Sequence, residues 1–544
     1  MSDPSATSED SRRAKALVRT VAAELRRRGT PALDTAGDAW LEDQPQSLWA
    51  LLDAAVAAST ARKRDEVLIT ASRWLLAKQL ELIRYRLERG HDWAQSMLNA
   101  YQMKLIALAQ ANTLPEYDWF ELVNLLKIAK VPICPEMSEA LTMAALDASA
   151  GEAPSPEEIP HQLRAMLDEL GQSVDDPFMV VEGLAETGTL MPPQLRAYLT
   201  HELGLSPHAV LRESLPLLLI DPEPAVRQAT AAVLEQVASP ETMSPVMLRR
   251  VLLVRNWVPV PEREAIDRLV RKARLKGVVC APWSAPPALA IRASMVDGSG
   301  AQSLILTSPT GRFGLFAGVL LKVGFGVRDA WCDMVVPRRD ITRALKEVQQ
   351  QMESQAVDRD YLDTAVQHAI SRGLSAGNLP QTAVIAIAEA IGAADWKDRG
   401  LNVASETARL FEGLAADMRT PTEIAASLQR SGAWLADDPA MQSWFDDDAE
   451  IRALVDRRPR PKPDVTVRRV LEDMLSGRRD EWAERVLSTA LWLRAGIGKL
   501  RLDAQWQDCV VLAHELLAGR PLADLPAMVA IAKRSVLVAR AGGW

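Results

Sequence analysis

This 544-residue chain is poor in the residues by which simple chemistry usually announces itself. Its four cysteines, Cys134, Cys280, Cys332 and Cys509, lie far apart and form no CxxC pair, so neither a zinc site nor a disulfide framework is indicated. Thiols buried in a reducing compartment are the expectation. The six histidines (His91, His161, His201, His208, His368 and His514) are dispersed. His201 and His208 would sit two turns apart on a continuous helix, but Gly204 and Ser206-Pro207 interrupt it, which removes them as a metal pair. No GxxxxGK[ST], GxSxG or HExxH is present. Gly311, Gly314, Gly318, Gly324 and Gly326 fall among strand residues rather than at a strand-to-helix turn, so they read as strand and turn glycines. There is no run of about 18 uncharged apolar residues, and the opening MSDPSATSEDSRR lacks the apolar core of a signal peptide. These absences describe a soluble, cytoplasmic chain with no cofactor, no metal and no membrane partner, for which a small-molecule substrate is not expected.

What is present is ordinary globular material: 48% hydrophobic, 25% charged, with a formal net charge of −8. The length exceeds what one core organises, so several packed units are expected. The acidic balance argues against a dedicated nucleic-acid coat but leaves room for a local basic patch.

The internal repeat lies between Ser206 and Lys276. Ser206-Pro207 and Ser244-Pro245 each read as a helix cap followed by proline in the first turn. Pro224 and Pro261 each open a second helix. Pro207 to Pro245 is 38 positions and Pro224 to Pro261 is 37, so the unit is a helical pair. Val226, Ala229, Thr230, Val233, Leu234 and Val237 fall on one stripe of the second helix, the spacing of a buried face. Asp221-Pro222, Val226-Arg227, Ala231 and Leu234 together resemble the HEAT-repeat pattern. The second pair carries it less well, with Val260-Pro261 and Ala265-Ile266 in those places. The resemblance implies stacked, armadillo-like helical pairs and a structural role for Arg227 in a polar ladder between repeats.

Along the chain, residues 1–10 read as disordered and 11–28 as a basic helix. Three or four long helices follow up to Lys130, with tryptophans near their starts as packing anchors. GEAPSPEEIP (151–160) and RRPRPKP (457–463) read as linkers. ALAIRASMV and QSLILT flank Asp297-Gly298-Ser299-Gly300 as two strands around a tight turn. FGLFAGVLLKV and RDAWCDMVV complete a meander of three or four strands, which needs helices against one face. The fold class is therefore mainly α, with α-solenoid-like stacked pairs and a small antiparallel meander near 288–336. The expected blocks are 1–150 helical, 151–276 repeat, 277–340 meander, 341–456 helical and 464–544 helical. Helices are expected over 341–355, 361–371 and 381–391, the last strongly apolar and central. The run Asp446-Asp447-Asp448 reads as solvated, since consecutive residues do not share a helix face.

One local feature stands out on the repeat. Arg249, Arg250, Arg255, Trp257, Arg263, Arg271 and Lys272, with Arg268, Arg274 and Lys276, concentrate basic charge within an acidic protein. They form either the solvated side of two helices or a docking surface for an acidic peptide or a phosphate backbone. The leading reading is a non-enzymatic helical-repeat scaffold that binds another macromolecule, a protein first. The alternatives are nucleic-acid binding through the basic stretch, or an enzyme with its site between the meander and the helices. A pocket lined by convergent polar groups is the sign of the last.

Overall fold

The computed structural model describes residues 8–88, 91–148, 159–188, 193–285, 287–308, 311–457, 462–497 and 505–541. Parts of the expected features lie outside these: residues 1–7, the linker over 151–158 and 458–461 of the basic linker, together with Pro192, read in sequence with Pro193 as a helix start, and Pro309-Thr310, read within Ser308–Gly311 as a second turn between strands. The chain divides into two units, Met1–Glu158 with Ala185–Pro192, and Ile159–Leu184 with Pro193–Trp544.

The first unit is helical, with helices Ser8–Arg28, Thr35–Asp43, Ser47–Ser59, Glu66–Glu88, Asp92–Gln110, Glu116–Ile128 and Pro135–Ala148. Helical spacing puts Leu76, Leu80 and Ile83 on the buried face of the fourth and Leu98, Tyr101 and Leu105 on that of the fifth. Trp40, Trp49 and Trp119 are buried anchors, and the Trp119 indole N–H donates to the Leu105 carbonyl at 2.8 Å. Trp93 departs from that expectation. It sits in the first turn of its helix and is exposed. Asp118, fully buried, accepts from both Arg64 (2.8 Å) and Arg73 (2.7 Å).

The second unit opens with helix Ile159–Ser173, the part of helix Pro177–Gly188 up to Leu184, and helix Pro193–Leu205, and then the two helical pairs. Ala209–Leu218 packs on Pro245–Val254, and Pro224–Gln236 packs on Val260–Leu275, so first helices stack on first and second on second. Ser244 caps its helix as expected, accepting the Met247 N–H at 3.3 Å. The other start moves. His208 occupies the cap position, because Ser206 closes a turn before it: its hydroxyl accepts the His208 N–H at 3.2 Å and its carbonyl accepts from Arg212 at 2.6 Å. Val226, Thr230, Val233 and Leu234 are buried as their spacing required.

Arg227 is buried and ties one pair to the next. It donates to Glu262, on the first turn of Val260–Leu275, at 2.7 and 2.5 Å, and to the carbonyls of Asp221 and Pro222 at 2.7 and 2.9 Å. Similar arginine–carboxylate ties run Arg164 to Glu202 (2.6 Å), Arg196 to Asp221 (3.2 Å) and Arg263 to Asp398 (2.8 Å).

The sheet has five strands: β1 (Ala290–Ser294), β2 (Ala301–Thr307), β3 (Phe313–Lys322), β4 (Gly326–Pro337) and β5 (Ser354–Val357). All pairings are antiparallel, in the order β4-β3-β2-β1-β5. β5 lies beyond the expected meander, where a helix was read through to residue 355. That helix ends at Gln351 after carrying the chain from the β4 edge across the sheet, and the next residues pair with β1. The sheet's helical cover includes Arg359–Ser375 and Thr382–Ile391, the latter with Val384, Ile385, Ile387, Ala388 and Ile391 buried.

Tryptophans fasten the later helices into this core. The Trp492 N–H donates to the Ala293 carbonyl (2.9 Å), that of Trp444 to the Val296 carbonyl (3.0 Å), and that of Trp257 to the Trp396 carbonyl (3.0 Å). Each ring is buried, combining a large apolar area with a satisfied polar edge. No helix among the described residues is long and apolar enough to cross a membrane.

Candidate functional site

The basic stretch does not form one face. Arg249 and Arg250, both largely buried, converge on Glu389 from the Thr382–Ile391 helix, with contacts of 2.8 Å from Arg249 and 2.9 to 3.2 Å from Arg250. Arg250 also stacks on Phe178 and donates to the Glu213 carbonyl, and Arg249 donates to the Pro282 carbonyl. Trp257 is fully buried. Arg255 pairs with Asp267, and Arg263 with Asp398 and the Val258 carbonyl. The cause is tertiary: the Pro245–Val254 helix is covered by a helix some 140 positions further on, which supplies the carboxylate.

What stays outward is the far end of Val260–Leu275 and the residues just after it. Arg271, Arg274 and Lys276 are exposed and Lys272 half-exposed, and among the described residues none has a carboxylate within ion-pair distance. Leu275 (82% exposed) and Val279 (70%) lie among them.

The second convergence is a cavity of about 510 Å³ between the sheet and the helices. Two helices face it with the same spacing. Tyr361, Ala365, His368 and Arg372 come from Arg359–Ser375, and Glu484, Ser488, Leu491 and Ala495 from Arg479–Ala495. Positions i, i+4, i+7 and i+11 fall on one side of a helix, so each contributes a continuous stripe. The ends of β2 and β3 close one side with Gln302 and Leu321.

At one end of the cavity Glu484 is a buried hub. His368 Nε2 lies 3.0 Å from its Oε1, Arg372 Nε donates to the same oxygen at 3.1 Å, and Arg372 Nη2 donates to Oε2. Burial alone pushes the Glu484 carboxyl up, but the bonds from His368 and Arg372 outweigh it and hold the carboxyl below its ordinary range. The Leu401 N–H donates to His368 Nδ1 at 3.0 Å, which puts the ring proton on Nε2, facing Glu484. Both ring nitrogens are thereby engaged, so the imidazole has no lone pair to offer as a general base without breaking one of these bonds.

At the other end the Tyr361 hydroxyl donates to Gln302 Oε1 at 2.9 Å, and Gln302 Nε2 donates to the Ser294 carbonyl at 2.8 Å. Burial pushes the Tyr361 phenol up, keeping it protonated.

The acidic run contradicts its solvated reading. Asp446 and Asp447 are buried. Asp446 accepts the Trp482 indole N–H at 3.3 Å and faces Arg478 at 3.3 Å, while Asp447 pairs with Arg452 at 2.6 Å and Asp448 with Arg478 at 2.6 Å. Consecutive acids on an irregular segment reach different partners, which a helix would not allow. Of the cysteines only Cys509 is buried, the others being half-buried and all unpaired. Among the described residues no group of three or more His, Cys, Asp or Glu is placed to hold a metal.

Two segments of the chain are similar to described families. Residues 404–540 match the Y4lR C-terminal helical domain. Residues 192–277 match the Y4lR second domain. The chain is also 24% identical over 366 residues to a Sinorhizobium fredii protein named "Uncharacterized protein y4lR", covering 66% of this chain and 69% of that one. No solved structure matches. The 192–277 match takes in both helical pairs, and the 404–540 match includes the helix that carries Glu484 and Ser488.

Proposed function

We propose that this chain is a non-enzymatic helical scaffold that binds another protein through the cationic end of the Val260–Leu275 helix. One observation carries the reading. Within the basic stretch, the earlier arginines pair with carboxylates of the chain, whereas among the described residues Arg271, Lys272, Arg274 and Lys276 have no carboxylate within ion-pair distance, and exposed Leu275 and Val279 lie in the same short stretch. Cations around an apolar centre fit an acidic segment that carries an apolar side chain. A phosphate backbone would use the charges but leave the leucine and valine without a role. The engagement of both His368 nitrogens supports a binding rather than a catalytic role.

The test is fluorescence anisotropy with a labelled peptide rich in glutamate and leucine, against the parent and an Arg271→Gln/Arg274→Gln/Lys276→Gln variant. The parent binds, and the variant binds at least tenfold more weakly, a loss of about 1.4 kcal/mol or more, with an unchanged melting temperature. Equal binding by both, or none by the parent, refutes the site. A labelled DNA duplex run at 50 and 200 mM salt separates the alternative: steeply salt-dependent binding to duplex in preference to peptide makes the chain a nucleic-acid binder.

A further inference from the structure

We infer that the cavity between the sheet and the Arg359–Ser375 and Arg479–Ala495 helices is a binding site for an uncharged small organic molecule with an apolar face and a hydrogen-bonding edge. Its volume of about 510 Å³ falls in the range of about 300–1,000 Å³ typical of small-molecule sites.

The charge of the ligand follows from the lining. Four cations (Lys322, Arg372, Arg409 and Arg494) face four carboxylates (Asp358, Asp360, Glu406 and Glu484), so the wall has no net formal charge. Most of these groups are already engaged. Arg372 is held by Glu484, and Arg409 by Glu406 through a contact at 2.9 Å and a second at 2.5 Å. Asp358 caps its helix on the Tyr361 N–H at 2.8 Å, and the Arg494 guanidinium lies over the Trp506 ring. A charged ligand would give up its hydration and meet a wall with no surplus of either sign, so attraction would not offset its desolvation.

The shape of the ligand follows from the remaining groups. Val296, Leu321, Val323, Leu401 and Leu491 supply apolar walls. Against them stand hydroxyls. Tyr361 spends its proton on Gln302, which leaves its oxygen as an acceptor toward the cavity. Ser488 and Thr364 line the space, and neither hydroxyl has a hydrogen-bond partner within the protein among the described residues. An amide or alcohol attached to a flat apolar group satisfies both surfaces.

The test uses saturation-transfer NMR on the full chain with matched probes. Benzamide and benzyl alcohol are the uncharged pair, and benzoate and benzylammonium their charged counterparts. The uncharged probes bind at least tenfold more tightly than the charged ones, and that binding falls at least tenfold in Ser488→Trp and in Thr364→Trp, which fill the space from two sides. Thr364 is exposed at the rim, so its variant keeps the parent melting temperature and decides the matter if Ser488→Trp does not fold. No binding by any of the four probes, equal binding by a charged probe, or undiminished binding in a folded Thr364→Trp overturns the inference. The outcome is independent of peptide docking on the Val260–Leu275 helix.

Discussion

Replacing Glu389 by alanine tests the architecture most directly, because one carboxylate is the shared ion-pair partner of two inward-facing arginines. The side chains of Glu389 and Arg249 are 14% exposed and that of Arg250 is 7% exposed. Removing the carboxylate would leave both guanidinium groups largely out of water, with only carbonyl partners and the rings of Phe178 and Trp283. Breaking a buried pair from one side costs about 3–5 kcal/mol, because the partner charge is stranded. At the lower end of the roughly 2–4 °C per kcal/mol seen for domains of 150–250 residues, that is a fall of about 6–10 °C in the melting temperature of the second unit. Differential scanning calorimetry of the full chain reads it, with Arg255→Gln as the control. Arg255 pairs with Asp267 at the surface, both more than a third exposed, so its loss costs no more than about 1 kcal/mol. A second arm separates charge from packing: replacing Arg249, Arg250 and Glu389 together by methionine recovers most of the loss, since apolar residues of similar size often substitute for a buried ion cluster. If Glu389→Ala melts within a degree of the parent, the two arginines are not structural.

Three further outcomes follow from particular contacts. Val226→Asp puts a charge at a position 2% exposed on the stripe between helical pairs, and destabilises by about 3 kcal/mol or more in urea unfolding. Gly298→Ala places a Cβ 1.7 Å from the Ser443 carbonyl oxygen where the β1–β2 turn meets the 439–443 turn; that forces a backbone shift costing about 2–3 kcal/mol, read the same way. The Glu484 carboxyl titrates below its ordinary value of 4.5 in the folded chain, so the stability it contributes is complete above about pH 4.5 and disappears as pH falls through the lower folded value. Glu484→Gln flattens that part of the acid-unfolding curve, and an unchanged curve would show that the His368–Arg372 hub contributes nothing.

Local patterns carried the secondary structure well. Ser244-Pro245, Pro224 and the Val226–Leu234 spacing placed the helical pairs, and the polar turn at 297–300 between alternating apolar runs placed β1 and β2. Such signals need only near neighbours: a cap oxygen meets an N–H three residues on, and a stripe repeats within two turns. β5 had no such signal, because four residues after a helix became a strand only by finding β1.

The sites were much less legible. The sequence determined that Arg249, Arg250 and Glu389 would lie on amphipathic or apolar helices and that Arg227 would follow an aspartate-proline turn, whereas it ended the His368 helix at residue 371, one short of Arg372. Which acid each arginine meets was decided by packing across 35 to 140 positions: Arg227 with Glu262, His368 and Arg372 with Glu484, and Arg249 and Arg250 with Glu389. Burying a charge is unfavourable unless its partner arrives with it. A basic run therefore reads the same in sequence whether it faces water or a carboxylate brought by a distant helix, and only the tertiary structure separates Arg250 from Arg271.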